Sequence, residues 1–139
     1  MRLLDVNVWL ALAFKRHMHH ASATAWFQAA SARCLFCRFT QAGFLRLASN
    51  PVAMGPAAVT MTEAWGAYDA FLADPNVAFV DEPEGIEPVW RSNTQGLTFS
   101  PKVWNDAYLA AFGQVAGIEV VTFDQGFTQY KGVQSTILS

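Results

Sequence analysis

The sequence predicts an α/β domain with a central, mainly parallel sheet of four to five strands that helices cover on both faces. The first observation is that short apolar segments alternate with longer segments of helical periodicity, a pattern typical of parallel sheets with helical connections. The second is the composition: 53% of the 139 residues are hydrophobic, with five Trp and eleven Phe, which suffices for a well-formed core. A chain of this length suits a single domain, residues 1–139.

The chain begins with a predicted strand over residues 2–5, a short apolar run. Asn7 is the expected cap of a helix that starts with Val8. A second helix is predicted over residues 19–32, which is rich in alanine. The second strand follows as "CLFCRF", residues 34–39.

The middle of the chain continues this alternation. Thr40 is the expected cap of a helix over residues 41–49, which the Asn50–Pro51 pair ends. Residues 60–73 form the next predicted helix, with apolar side chains along one side. The third strand is predicted over residues 77–80.

The last part of the chain contains the clearest helix of the sequence. Before it, residues 84–96 predict a helix that Pro88 interrupts. The clear helix has Ser100 at its N-cap, Pro101 at its first position and Gly117 as its stop. The remaining predicted strands are the fourth and the short fifth, residues 118–123 and 133–138.

Composition and charge exclude several classes of protein. No apolar stretch reaches the roughly 18 to 20 residues of a membrane span, and no cleavage site follows the N-terminus, so we expect a soluble cytoplasmic protein. The net charge of −2 argues against binding of long nucleic acid by general electrostatics, but it permits a nuclease that supplies positive charge through a bound metal. Arg38, Arg46, Arg91 and Lys102 are either solvated surface charges or contacts to phosphates.

The cysteines and histidines give weak signals for a metal site. Cys34 and Cys37 form one CxxC pair without the second pair that a zinc ribbon requires, and they lie in a predicted strand. We therefore expect buried, reduced thiols. His17, His19 and His20 lie at a predicted helix start, where such clusters more often pack and cap than bind metal.

Three aspartates are predicted to converge at one edge of the sheet. Asp5 ends the first strand and Asp124 follows the fourth, and parallel sheets bind their ligands beyond the carboxyl ends of the strands. Asp106 lies on a largely apolar helix face, where an ionised carboxylate is costly unless it is compensated. One alternative is that Asp106 pairs with Lys102, one turn earlier.

A divalent cation with oxygen ligands relieves the repulsion among three carboxylates. Because no thiolate or histidine belongs to the set, Mg²⁺ or Mn²⁺ fits it. The residues by themselves thus predict an acidic divalent-metal site on an α/β domain.

Five segments follow one another along the chain: "LLDVNVWLALAF", the HxxH before an alanine-rich helix, "TQAGFLRLASNP", "PKVWNDAYLAAF" and "VTFDQGF". In this order and spacing they resemble the PIN-domain ribonucleases, specifically the VapC-type toxins of bacterial toxin–antitoxin pairs. The resemblance implies a PIN-like three-layer α/β/α sandwich and a Mg²⁺- or Mn²⁺-dependent endoribonuclease that hydrolyses RNA phosphodiester bonds. It also implies inhibition by a VapB-type antitoxin and a homodimer, as is common in the family.

The resemblance also implies roles for particular residues. The metal-binding and catalytic set is Asp5, Asp106 and Asp124, and the supporting set is Asn7, Gln41 and Thr122. One departure from the family pattern concerns Gln41, since the family usually has a Glu at the start of the helix after the second strand. A glutamine brings no charge, so a second metal should bind weakly or arrive only with the RNA phosphate.

Three other interpretations compete with this one. A haloacid-dehalogenase-like phosphatase also begins with a strand that ends in Asp, but its second acid corresponds to Asn7 here. A response-regulator receiver needs an acidic pair after the first strand and a phosphoacceptor after the third, for which Asp81 is the only match. The third is a PIN-like domain with weakened catalysis that serves as an RNA- or partner-binding module, an interpretation that Gln41 favours.

Overall fold

All five strands of the sheet run parallel, in the order β3-β2-β1-β4-β5. This is seen in a computed structural model that describes residues 1–139. The strands are β1 (Arg2–Leu4), β2 (Cys34–Phe36), β3 (Val77–Phe79), β4 (Glu119–Thr122) and β5 (Ser135–Ile137). Because β2 and β3 lie on one side of β1 while β4 and β5 lie on the other, the topological switch point falls between β1 and β4. Ligands of open parallel sheets bind at such a point, beyond the carboxyl ends of the strands.

Seven α-helices connect and cover the strands. They are α1 (Val6–Ala13), α2 (His20–Ala29), α3 (Arg38–Ala48), α4 (Pro51–Met54), α5 (Met61–Leu72), α6 (Ile86–Thr94) and α7 (Pro101–Ala116), with 3-10 turns at Gly55–Ala57 and Gln125–Gln129. None of these helices has the length and apolar character that crossing a membrane requires.

The two faces of the sheet each pack against a layer of helices. Successive strand residues point to opposite faces, so Leu3 and Val120 contact the layer of α6 and α7. Leu4 and Val121 contact the layer of α1, α3 and α5, where Trp9 stacks on a neighbouring phenylalanine ring at 3.8 Å. The three-layer α/β/α arrangement expected from the sequence is therefore confirmed.

Helix α7 has the ends that the sequence predicted. The Ser100 hydroxyl accepts a hydrogen bond from the Val103 N–H at 3.1 Å, and Pro101 occupies the first turn, where no N–H partner is needed. Gly117 ends the helix with φ = 68°, a left-handed conformation that favours glycine.

Several boundaries differ from the predicted ones. The N-cap of α1 is Asp5 and not Asn7. Strand β2 ends at Phe36, because Cys37 caps α3, and the Thr40 hydroxyl accepts a hydrogen bond from the Cys37 N–H at 2.9 Å. The helix predicted from residue 41 thus begins three residues earlier.

Pro51 and Pro88, which the sequence analysis placed at a helix end and at a helix interruption, both lie in the first turn of a helix. Helix α3 ends at Ala48, and Pro51 is the first residue of the short helix α4. The Asn50 side chain caps α4 by accepting a hydrogen bond from the Val52 N–H at 2.8 Å. Pro88 is the third residue of α6, where its missing N–H would have had no partner within the helix. It therefore does not interrupt that helix.

Candidate active site

Asp5 lies at the junction of β1 and α1. One carboxylate oxygen accepts a hydrogen bond from the Val6 N–H at 2.7 Å, and the other accepts one from the Thr122 hydroxyl at 2.8 Å. Burial raises the pKa of Asp5 above its ordinary value, and these two hydrogen bonds oppose that rise. Asp5 lies between two apolar runs of the sequence. The N–H at the start of α1 and the buried Thr122 hydroxyl compensate its carboxylate there.

The Thr122 hydroxyl connects the ends of β1 and β4. While donating to Asp5, it accepts hydrogen bonds from the Asn7 amide at 3.2 Å and from the Asp124 N–H at 3.1 Å. The Asn7 carbonyl oxygen in turn accepts from the Phe123 N–H at 3.3 Å. Asn7 therefore fixes the loop that carries Asp124.

Asp124 caps the 3-10 turn that follows β4. One of its oxygens accepts from the Gly126 N–H at 2.9 Å and from the Lys102 ammonium at 3.0 Å. The other oxygen is buried and has no hydrogen-bond donor beside it. Lys102 thus pairs with Asp124, and not with Asp106 as in the alternative considered from the sequence.

Asp106 projects from α7 toward Asp124. Burial, together with the neighbouring Asp124 carboxylate, raises the pKa of Asp106 to about 8. Burial acts in the same direction on Asp124, but hydrogen bonds from Asp106 and Lys102 outweigh it and hold the pKa of Asp124 below its usual range. When no cation is bound, a proton on Asp106 is the donor available to the buried oxygen of Asp124, and a cation would take the place of that proton.

These three carboxylates, Asp5, Asp106 and Asp124, are called the acidic cluster below. No three His, Cys, Asp or Glu side chains are arranged so that they hold a metal ion by themselves. The donors of the acidic cluster nevertheless fit a hard cation, because all of them are oxygens and one buried oxygen needs a positive partner. Water and substrate would complete the shell of such an ion, which is usual for Mg²⁺.

A cleft of about 520 Å³ opens beside the acidic cluster. Asp5, Asp106 and Asn105 line it, and Lys102 and Arg46 add positive charge to its walls. The sequence had marked Lys102 and Arg46 only as basic residues able to contact phosphates. Asn105 was missed, and its position next to Asp106 in α7 was the one signal that could have indicated it.

Gln41 does not line this cleft. It is buried in the first turn of α3, where its side-chain oxygen accepts a hydrogen bond from the Arg38 guanidinium. Arg38 also lies over the Phe79 ring, 4.8 Å from its centroid. The amide oxygen that could have served as a neutral metal ligand is thus occupied by a cation.

The histidines and cysteines lie outside the acidic cluster. The His19 ring stacks on Phe123 with centroids 4.4 Å apart, and the His20 ring hydrogen-bonds a backbone carbonyl of α1 at 2.8 Å. Cys34 and Cys37 are free and buried, and they pack on opposite faces of the sheet. The predictions of packing histidines and reduced, buried cysteines are confirmed.

Comparison with known proteins assigns the family. The PIN domain family matches residues 2–133. This range contains the whole acidic cluster together with Asn7 and Thr122. This chain belongs to the PIN-domain family. Its PIN domain is similar to ribonuclease VapC41 of Mycobacterium tuberculosis, with 44% identity over 145 residues that cover 100% of this chain and 99% of that protein. Ribonuclease VapC38 of the same organism is 35% identical, over 91% of this chain and 86% of the relative.

Solved structures show the same PIN fold. The Mycobacterium tuberculosis toxin VapC20, described as cleaving the sarcin-ricin loop, has a TM-score of 0.73 at 15% identity and covers 100% of both chains. The VapBC2 complex of Rickettsia felis bound to a promoter DNA fragment also gives 0.73, at 13% identity, over 99% of this chain and 98% of the other. The family and the PIN-like fold expected from the sequence are confirmed.

Proposed function

We propose that this PIN-domain protein is the toxin of a type II toxin–antitoxin pair and hydrolyses RNA phosphodiester bonds as an endoribonuclease. The observation that carries this proposal is the convergence of Asp5, Asp106 and Asp124 at the switch point of the sheet, next to an open cleft. Full-length similarity to proteins named VapC ribonucleases supports the same activity. In this proposal residues 1–139 act as a single domain, in the cytoplasm.

The acidic cluster binds a divalent ion, Mg²⁺ or Mn²⁺, in this proposal. Asp5 and Asp106 are the principal ligands, and Asp124 completes the set with its buried oxygen. When bound, such an ion polarises the scissile phosphate and favours ionisation of water.

The chain's own residues have separate tasks in the reaction. Thr122 and the N–H at the start of α1 hold the Asp5 carboxylate in one orientation. Asp124 orients the attacking water and accepts its proton. Asn7 keeps Asp124 in place through the loop after β4. In-line attack of this kind leaves a 5′-phosphate and a 3′-hydroxyl.

Arg46 and Lys102 contact the phosphates on either side of the bond that is cut. Both line the cleft with Asp5 and Asp106. A net charge of −2 favours a small number of such local contacts over a broad basic surface. Single-stranded or looped RNA suits the site, because unpaired nucleotides can be splayed out into a cleft.

A VapB-type antitoxin is the partner in this proposal. Solved relatives include VapBC complexes from Rickettsia felis and Salmonella typhimurium. Large exposed side chains on the surface, among them Trp65 and Trp104 at 50% and 51% exposure, offer apolar area to an antitoxin or to a second copy in a homodimer. An antitoxin arginine at the acidic cluster would inhibit the enzyme, because it would replace the charge of the metal.

Cleavage of total RNA tests the proposal. The purified protein should cut RNA with Mg²⁺ or Mn²⁺ and lose activity in EDTA, and Asp5→Asn and Asp106→Asn should each reduce the rate by roughly two orders of magnitude or more. Asp69→Asn, at an exposed position of α5, is the matched control and should keep the wild-type rate. Undiminished cleavage by Asp5→Asn and Asp106→Asn would contradict the assignment.

The alternative of a catalytically weakened binding module is not favoured. All three carboxylates of the acidic cluster are present, and the full-length relatives are named ribonucleases. Gln41, which had favoured this alternative, is hydrogen-bonded by Arg38 in the first turn of α3.

A further inference from the structure

Lys102 is placed where a cation would neutralise the acidic cluster. Its ammonium nitrogen lies 3.0 Å from one oxygen of Asp124, and its side chain lines the cleft together with Asp5 and Asp106. The Lys102 side chain is 64% exposed, whereas that of Asp124 is 10% exposed. A largely exposed cation is therefore paired with a largely buried anion.

The ion pair between Lys102 and Asp124 affects how strongly the acidic cluster can attract a metal ion. Gln41 is neutral and its oxygen is already bound by Arg38, so the negative charge that could attract an ion comes from the acidic cluster. Lys102 offsets part of that charge by pairing with Asp124. A divalent ion that used Asp124 would lie a few ångströms from the ammonium group, and like charges at that distance repel appreciably even in a partly solvated site.

A phosphate in the cleft changes this competition. Lysine is a compact charge on a flexible stem with three donors, so it can turn from a carboxylate to a phosphate oxygen at little cost in geometry. Once it has turned, no cation is paired with Asp124, and the oxygen that Lys102 has left keeps only its hydrogen bond from the Gly126 N–H. Metal and RNA should then strengthen each other's binding by the same factor, as linkage requires.

We propose that Lys102 is the resident counter-cation of the acidic cluster, and that it moves from Asp124 to an RNA phosphate when substrate binds and so admits the divalent ion. This inference rests on the proposed function. Lys102 is then a positioning residue that couples the binding of RNA to the binding of the divalent ion. This coupling explains how a site with one acid fewer than the family pattern can bind a metal when substrate is present.

Binding of Mn²⁺ to the RNA-free protein tests this directly. We expect Lys102→Met to bind Mn²⁺ on the order of three- to tenfold more tightly than the wild type, because it removes one competing ion pair. Lys131→Met, at an exposed position outside the cleft, is the matched control and should bind as the wild type does. Free Mn²⁺ is measured by electron paramagnetic resonance.

A second titration contains a short oligodeoxythymidylate, whose backbone phosphates stand in for those of RNA. After correction for Mn²⁺ bound by the oligonucleotide alone, the oligonucleotide should increase the Mn²⁺ affinity of the wild type and of Lys131→Met by a larger factor than that of Lys102→Met, in which Arg46 is the remaining phosphate contact. Equal Mn²⁺ affinities in all three proteins, with cleavage that still requires Mn²⁺, would overturn the role of Lys102 and leave the proposed function standing. Absence of Mn²⁺ binding in all three, with no cleavage of RNA in the presence or absence of Mn²⁺, would overturn both.

Discussion

Replacing Thr122 with valine tests whether one buried hydroxyl organises the acidic cluster. Thr122 is fully buried, and its hydroxyl donates to Asp5 at 2.8 Å while accepting from Asn7 at 3.2 Å and from the Asp124 N–H at 3.1 Å. Valine has nearly the same shape but can neither donate nor accept. Thr122→Val therefore removes three hydrogen bonds without creating a cavity.

The expected loss of stability is about 3 kcal/mol. A hydrogen bond to a charged group contributes about 1.5–3 kcal/mol, and a buried donor left without a partner costs about 1–3 kcal/mol. Asn7 and Asp124 are only partly buried, so water replaces part of what they lose. For a chain of this size, 3 kcal/mol corresponds to a decrease of roughly 6–12 °C in Tm.

Urea unfolding in EDTA, followed by tryptophan fluorescence, measures this loss. Thr122→Ser is the matched control, because it keeps the hydroxyl and removes one methyl group at a cost of about 1 kcal/mol. In the Asp5→Asn background the valine substitution should cost less, since the charged acceptor is gone. A free energy of unfolding for Thr122→Val within about 0.5 kcal/mol of that for Thr122→Ser would refute this account of the network.

Three further predictions concern the rest of the molecule. Gln41→Glu should be tolerated within about 1 kcal/mol, because Arg38 lies beside the new charge, and urea unfolding checks this. Burial raises the pKa of Cys34 to about 11 from an ordinary value of 9.0. Between these two pH values the Cys34 thiol ionises in the unfolded chain but stays protonated in the folded chain. Stability should therefore decrease as pH rises from about 9 to 11, with a shallower decrease in Cys34→Ala, as urea unfolding at each pH would reveal. Gly113→Ala would place a β-carbon 2.7 Å from a backbone carbonyl oxygen just beyond α7, while Gly66→Ala meets nothing within 4 Å. The first should lower Tm and the second, in mid-helix, should raise the free energy of unfolding by up to about 1 kcal/mol.

The order of the elements and the position of the acids could be predicted from the sequence. Asp5 and Asp124 each follow an apolar run, and parallel strands bring their carboxyl ends to one edge whatever the details of the loops. Asp106 interrupts an apolar helix face, so its direction was fixed by helical periodicity. These inferences depend on backbone geometry, which short-range patterns determine well.

The partners of the long side chains could not be predicted in this way. Lys102 is one turn from Asp106 but pairs with Asp124, which lies on another element. Likewise, both Asp5 and Asn7 are good N-cap residues, and only the exact end of β1 decides that Asp5 caps α1. Rotamers and strand ends depend on tertiary packing that no local pattern specifies.

The pairing of β1 with β4 has a consequence for synthesis of the protein. Asp5 precedes Thr122 and Asp124 by more than a hundred residues. A nascent chain that has not yet extended beyond β4 contains neither the hydroxyl that orients Asp5 nor the third acid. The acidic cluster therefore cannot assemble on a nascent chain until β4 and the loop after it have been synthesised and can pair with β1.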